Sequence, residues 1–237
     1  MECTHAGETA TGAVPGEAKT RTWTGAATDA VPTTPEAPEM GEETARKATG
    51  TFRILFVCTG NICRSAMAER LTLAALGPGS PILVGSAGTR ARTGWPMAER
   101  AREVLLRLGG DSEGFSSRPL TAEAVADADL VLAASSEHRA EAAALYPRAA
   151  ARAFTIVEFG ALARAVPSGK VLSQGHPVGR ARVLLEEAGA LRGLVRVDQP
   201  DIVDPYGGPR RAYREAARRI VDALAVPMHL LRHASAP

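Results

Sequence analysis

The sequence predicts an α/β protein built on a parallel sheet with helices on both faces. Three observations carry this. From Thr51 onward, short apolar runs of four to six residues alternate with longer stretches whose apolar residues recur at helical spacing. The short runs are predominantly apolar, with Ser86 and Thr155 as their only polar members, as suits strands buried on both faces. The first run also leads through a small polar turn straight into a helix, the order of a βα unit.

In chain order, the first strand is Ile54-Leu55-Phe56-Val57, followed by the turn Cys58-Thr59-Gly60-Asn61-Ile62-Cys63-Arg64-Ser65. A helix closes the unit, with Met67, Leu71 and Ala74 at i, i+4 and i+7. Ile82–Ala87 reads as a second strand leaving through Gly88. A helix over Met97–Leu108 places Ala101, Val104, Leu105 and Leu108 on one face and stops at Gly109-Gly110. Thr121–Ala126 is a short helix, and Asp129 leads into the strand Leu130–Ala134. Ser135 or Ser136 caps the helix Glu137–Leu145, and Phe154–Val157 is the fourth strand. Ala161–Pro200 breaks the alternation. Its Pro167-Ser168-Gly169, its Gly175-His176-Pro177 and a helical stretch over Arg180–Leu191 read as a loop and one extra helix. The last helix runs from about Pro209 to Leu224, or alternatively on through Pro227 to Leu231, with Ala217, Ile220, Val221 and Leu224 on one face. Its Arg210, Arg211, Arg214, Arg218 and Arg219 form a basic band, either a solvated face or a substrate-steering patch.

Composition narrows the function classes. At 237 residues and 45% hydrophobic, the chain suits one globular domain plus an extension. Met1–Gly50 has only Val14, Trp23, Val31 and Met40 as large apolar residues, so a disordered extension is expected. Trp23 is then a solvated position or a short partner-binding element; Cys3 and His5 fall in the same tail. Residues 1–50 hold eight acidic and four basic side chains, leaving 18 acidic and 24 basic for the rest. That mildly basic body suits an anionic substrate and falls short of a nucleic-acid-binding excess. No apolar run approaches membrane-spanning length, and the first residues lack the basic-then-apolar order of a secretory signal. Three cysteines make no disulfide framework. A cytoplasmic protein with no nucleic-acid or membrane partner is expected.

The chemistry concentrates in residues 58–65. A strand passing through a tight loop into a helix N-terminus gathers unpaired N–H groups and the positive end of the helix dipole. A cysteine at the strand exit sits in that field, which favours the ionised sulfur. Arg64, six residues on, can fork two hydrogen bonds onto a tetrahedral oxyanion. Gly60 and Asn61 are types that tolerate positive φ, as a loop curling its N–H groups inward requires. Ser65 can donate its hydroxyl proton to the sulfur.

The string CTGNICRS after an apolar strand resembles the signature loop of the low-molecular-weight protein-tyrosine phosphatases. Asp204-Pro205-Tyr206 resembles the family's second motif, and Ser86-Ala87-Gly88-Thr89 a landmark after its second strand. The resemblance implies a flavodoxin-like four-stranded parallel sheet over residues 51–237, with an insertion at about 161–200. It implies Cys58 as nucleophile and Arg64 as phosphate clamp, and it selects Asp204 as general acid/base from the late acids Asp198, Asp201 and Asp204. It assigns Thr59, Gly60, Asn61, Ile62, Cys63 and Ser65 to the substrate-binding loop and Tyr206 to the pocket wall. It further implies a reversible disulfide between Cys63 and Cys58, no metal or other cofactor, and a phosphorylated protein as substrate, a tyrosine kinase among the candidates. The chain departs from the pattern at Ala66, where proline is common, at Arg92, where a bulky wall residue is common and Trp95 stands three further on, and at Gly207, where a second aromatic is common.

Other readings use the same residues differently. A weakly catalytic or non-catalytic phosphate-binding module would need neither Cys58 nor Asp204. An arsenate reductase would relay a disulfide through further cysteines, and none follows Cys63. A cysteine protease would pair Cys58 with His138 or His176 and leave Arg64 unexplained.

Overall fold

The computed structural model describes residues 22–23 and 50–232. Apart from Thr22, Trp23 and Gly50, the N-terminal extension expected to be disordered, Cys3 and His5 included, lies outside the described residues. Four strands, β1 (Phe52–Cys58), β2 (Ile82–Gly88), β3 (Leu130–Ala133) and β4 (Ala153–Thr155), form one sheet in the order β2-β1-β3-β4. Every pairing is parallel, with Cys58 opposite Gly88 at the carboxyl end of β1. The chain first builds outward from β1 to β2, then crosses back to β3 on the other side. That reversal places the carboxyl end of β1 at the switch point where open α/β sheets bind ligands.

The helices are α1 (Arg64–Leu76), α2 (Glu99–Arg107), α3 (Ala122–Asp127), α4 (Ser136–Leu145), α5 (Ile156–Ala165), α6 (Ser168–Leu172), α7 (Pro177–Ala190) and α8 (Arg210–Leu231). Strand side chains alternate between faces, so β1 feeds two cores. Phe52, Ile54 and Phe56 pack with Met67 of α1, Phe159 and Leu162 of α5, and Ile220 and Leu224 of α8. Leu55 and Val57 pack on the opposite face with Val125 of α3 and Ala142 of α4. The expected helix-covered sheet is therefore present.

Several boundaries differ from the sequence reading. The fourth strand ends at Thr155; Ile156 and Val157, expected in it, open α5. Thr155 is the reason: its hydroxyl accepts from Glu158 N at 3.0 Å while Glu158 Oε2 accepts from Thr155 N at 3.1 Å, a reciprocal cap that starts a helix. The interval expected as a loop and one extra helix thus holds the end of α5, the short α6 and α7. Leu108 and Val221, expected on buried faces, are exposed. The basic band on α8 is a solvated, ion-paired face: Arg218 pairs with Glu215 at 2.6 Å and Asp222 at 2.7 Å, and Arg210 with Glu103 at 3.4 Å.

One crossing in this layer is unusually tight. Pro227 lies inside α8 and cannot donate to the carbonyl four residues back, Ala223 O. Helix α5 approaches there through Gly160, where an added Cβ would fall 2.3 Å from Ala223 O and 2.8 Å from Ala223 Cα. Those are backbone atoms, so relief requires the helices to move apart. Gly160→Ala is expected to destabilise the fold by about 1–3 kcal/mol, the usual cost of overpacking, read as a lower urea midpoint at unchanged m-value.

Candidate active site

The loop between β1 and α1 owes its shape to buried polar groups. Asn61 takes positive φ, +52°, as expected; Gly60 does not, and a Cβ there would meet only ordinary contacts. Asn61 is fully buried, its Nδ2 donating to Ser65 Oγ at 2.9 Å and Ser86 Oγ at 2.7 Å while its Oδ1 accepts from Arg118 N at 2.9 Å. Ser86 in turn donates to the buried Glu69 at 2.5 Å, and burial raises that carboxyl above its ordinary range. The loop's carbonyls point outward: Cys58 O, Thr59 O and Ile62 O accept from Thr89 N, Arg90 N and Ala98 N, each at 2.9 Å. Among the described residues, no hydrogen bond is donated by a backbone N–H of residues 59–63. At the start of α1, Cys63 supplies no side-chain cap and the first turn holds no acid. The N–H groups are left for an anion. Gly88 completes the cradle, since a Cβ there would lie 2.5 Å from Thr59 O and 2.8 Å from Asn61 N.

Cys58 lies buried at the base of this loop, with Ser65 Oγ 2.9 Å from its sulfur. Arg64 is only 5% exposed. Its Nη1 donates to Ile202 O at 3.0 Å, and its Nη2 to Thr59 Oγ1 at 3.3 Å and to Asp204 Oδ2 at 2.8 Å. Its Nε is buried and unpartnered among the described residues. A buried donor left unmade is costly, so a ligand oxygen at that point would be held strongly. The three late acids, alike in residue type, separate in space. Asp198 pairs with Arg196 at 3.0 Å, and Asp201 accepts from Ser136 N and Oγ at the start of α4, both at 2.8 Å. Asp204 lines the cleft.

That cleft, about 340 Å³, is lined by Cys58, Thr59, Gly60, Ile62, Cys63, Arg64, Asp204 and Tyr206, together with Arg90, Arg92 and Trp95. Of the expected site residues, only Asn61 and Ser65 lie behind its wall. The Arg92 guanidinium sits 5.0 Å from the centre of the Trp95 ring, so this pair occupies the wall where an aromatic was expected. Burial pushes the Cys63 thiol up to about 12, with Cys58 and Asp204 adding to the effect and Arg64 opposing it. Both Cys58 and Cys63 are free. None of the five basic-band arginines of α8 lines the cleft.

The sequence reading missed Arg118 and gave His138 only a protease role, not its place behind the loop. Arg118 meets Asn61 as described, and His138 stands behind Thr59, its Nε2 2.8 Å from Thr59 Oγ1 and its Nδ1 2.5 Å from Ser135 Oγ. Burial, and then the Arg64 charge, hold His138 below its ordinary pKa. His138 therefore bonds the loop threonine, and His176 accepts from Val178 N at the start of α7. Neither provides the base that a cysteine protease reading needs.

The doubly covered parallel sheet thus presents a cysteine and a buried arginine on one N–H-lined loop at its switch point. Residues 53–167 match the low molecular weight phosphotyrosine protein phosphatase family, and the chain belongs to it. It is 45% identical to the low molecular weight protein-tyrosine-phosphatase Etp of Escherichia coli K12 over 94 residues, 40% of this chain and 62% of Etp. It is 32% identical to a protein-arginine-phosphatase of Geobacillus stearothermophilus over 177 residues, 73% of this chain and 94% of that protein. Among solved structures, the YwlE arginine phosphatase from Geobacillus stearothermophilus superposes with a TM-score of 0.55 at 29% identity, covering 75% of this chain and 91% of YwlE. A low molecular weight protein tyrosine phosphatase from T. tengcongensis gives 0.55 at 30% identity, covering 76% of this chain and 99% of its own.

Proposed function

We propose that the chain hydrolyses phosphotyrosine and other aryl phosphate esters through a phosphocysteine intermediate. The Cys58 thiolate attacks phosphorus in line with the ester oxygen, the P–O bond breaks, and Asp204 gives its proton to the departing phenolate. Water then attacks the phosphocysteine, Asp204 takes the water proton, and the thiolate and inorganic phosphate are released. The loop N–H groups and Arg64 hold the equatorial oxygens, which supplies most of the rate, because phosphoryl transfer asks mainly for positioned positive charge. The observation that carries this reading is the unpartnered Arg64 Nε, buried in the loop that holds Cys58. Trp95 and Tyr206 line the same cleft and supply apolar aromatic surface beside an aryl group. Arg90 and Arg92, exposed at the mouth, favour phosphoproteins with acidic neighbours, tyrosine kinases among them.

Phosphoarginine is the second reading, favoured by the similarity to the Geobacillus protein-arginine-phosphatase along 94% of that protein's length. Assays with p-nitrophenyl phosphate, phosphotyrosine peptides and phosphoarginine peptides, with and without EDTA, separate the two. The expected result is EDTA-insensitive turnover, faster on phosphotyrosine. Faster release from phosphoarginine replaces the ester with a P–N bond in the same scheme, and turnover lost in EDTA ends the metal-free scheme.

A further inference from the structure

Trp23 lies some thirty residues before β1, yet it is built into the sheet edge. Thr22 bridges Val84 in parallel, and Trp23 N donates to Val84 O at 3.2 Å. The Arg53 guanidinium stands 5.9 Å from the Trp23 ring centre, and the ring packs against the core that holds Leu55 and Val57. On β2, the facing residue is Gly85, a poor strand former. A Cβ there would fall 2.6 Å from Trp23 O, 2.7 Å from Arg118 Nη2 and 3.4 Å from Trp23 Cε3. A glycine inside the strand thus opens a slot for this backbone.

The slot connects to the active site through one side chain. Arg118 Nη2 donates to Trp23 O at 3.0 Å, and Arg118 Nε to Ser86 O at 2.6 Å. Its own backbone N donates to Asn61 Oδ1, the residue that sets the loop's left-handed turn. The guanidinium is largely out of water, so each acceptor it keeps offsets part of its desolvation. Withdrawing Trp23 O removes one of those acceptors and bares the edge of β2.

We propose that the Trp23 segment is a docking element for the β2 edge, where it fixes Arg118 and, through Asn61, the geometry of the Cys58–Ser65 loop. Trp23 acts as a positioning residue: it touches no substrate and sets kcat from behind. The rate readout rests on the phosphatase reading, whereas docking itself is readable without turnover.

Two measurements on the full chain test it. Trp23→Ala is expected to lower kcat by about threefold to tenfold with little change in KM, given how steeply rate depends on placement. Trp23→Phe should retain most of the rate, and a synthetic peptide spanning Trp23 should restore Trp23→Ala in trans where the same peptide with alanine does not. Wild-type kcat in Trp23→Ala, or a loss that the tryptophan peptide leaves uncorrected, overturns the positioning role. For docking, Trp95→Phe leaves Trp23 as the chain's one tryptophan, and acrylamide quenching then reports its burial. Trp23 should be shielded in that background and become accessible when Gly85→Val fills the slot. Quenching as fast as that of free N-acetyltryptophanamide before Gly85 is touched overturns the docking itself.

Discussion

Cys58→Ser is expected to end turnover, lowering kcat on p-nitrophenyl phosphate by about 10⁴-fold or more while leaving phosphate binding nearly intact. The substitution exchanges one atom. The loop N–H groups and the carbonyl anchors at Thr89, Arg90 and Ala98 are backbone, and the Arg64 fork uses other residues, so none needs the sulfur. A serine hydroxyl keeps its proton near neutral pH and, among the described residues, has no base beside it: Ser65 is itself a hydroxyl, and His138 bonds Thr59. The cradle should therefore still bind vanadate or inorganic phosphate with a dissociation constant close to that of the wild type. That pairing of lost turnover with kept binding distinguishes a catalyst from a phosphate-reading module, which would show little turnover before the change as well. Appreciable hydrolysis by the serine variant would remove the sulfur from the mechanism.

The Cys58–Ser65 loop was legible in the sequence because its parts are neighbours in the chain. Cys58, Arg64 and Ser65 fall within eight consecutive residues between a strand and a helix, and strand-to-helix order alone dictates their convergence. Residues that support the loop from afar were not legible in the same way. Arg118 reaches Asn61 across 57 positions and His138 reaches Thr59 across 79, and no local pattern marks either. Residue type alone left three candidates for the proposed acid, and only the resemblance of Asp204-Pro205-Tyr206 to the family's second motif selected Asp204. Asp198, Asp201 and Asp204 share one short segment, and only folding gives Asp198 to Arg196 and Asp201 to the start of α4. The β4–α5 boundary was missed for a local reason. Ile156 and Val157 are β-branched and read as strand, but Thr155 and Glu158 form a capping box whose Thr-x-x-Glu spacing stood in the sequence. Trp23 failed differently: composition correctly describes the surrounding tail as poor in apolar residues, but a single aromatic needs only one prepared slot, here opened by Gly85.

Asp204→Ala should lower kcat/KM by about 10²–10⁴-fold on esters with poor leaving groups, the range that a positioned acid contributes. The loss should depend on the ester, since p-nitrophenolate leaves without much help and a tyrosine phenolate does not. A plot of log kcat/KM against leaving-group pKa should therefore be shallow for the wild type and steep for the variant. The structure sharpens this expectation, because Asp204 Oδ2 lies 2.8 Å from Arg64 Nη2, where it competes with an incoming phosphate. Its carboxyl is 47% exposed, so an exchange of partners would cost little: in the proposed scheme a bound phosphate would take over the guanidinium and free Asp204 for the ester oxygen. Removing the carboxylate leaves Arg64 without that internal competitor. Inorganic phosphate should then inhibit the variant at equal or lower concentration than the wild type, even as turnover falls. Weaker phosphate inhibition together with an equal rate loss on every ester would show that Asp204 merely holds Arg64 in place. A steep leaving-group dependence with undiminished phosphate affinity can arise only if its proton is the one delivered to the departing oxygen.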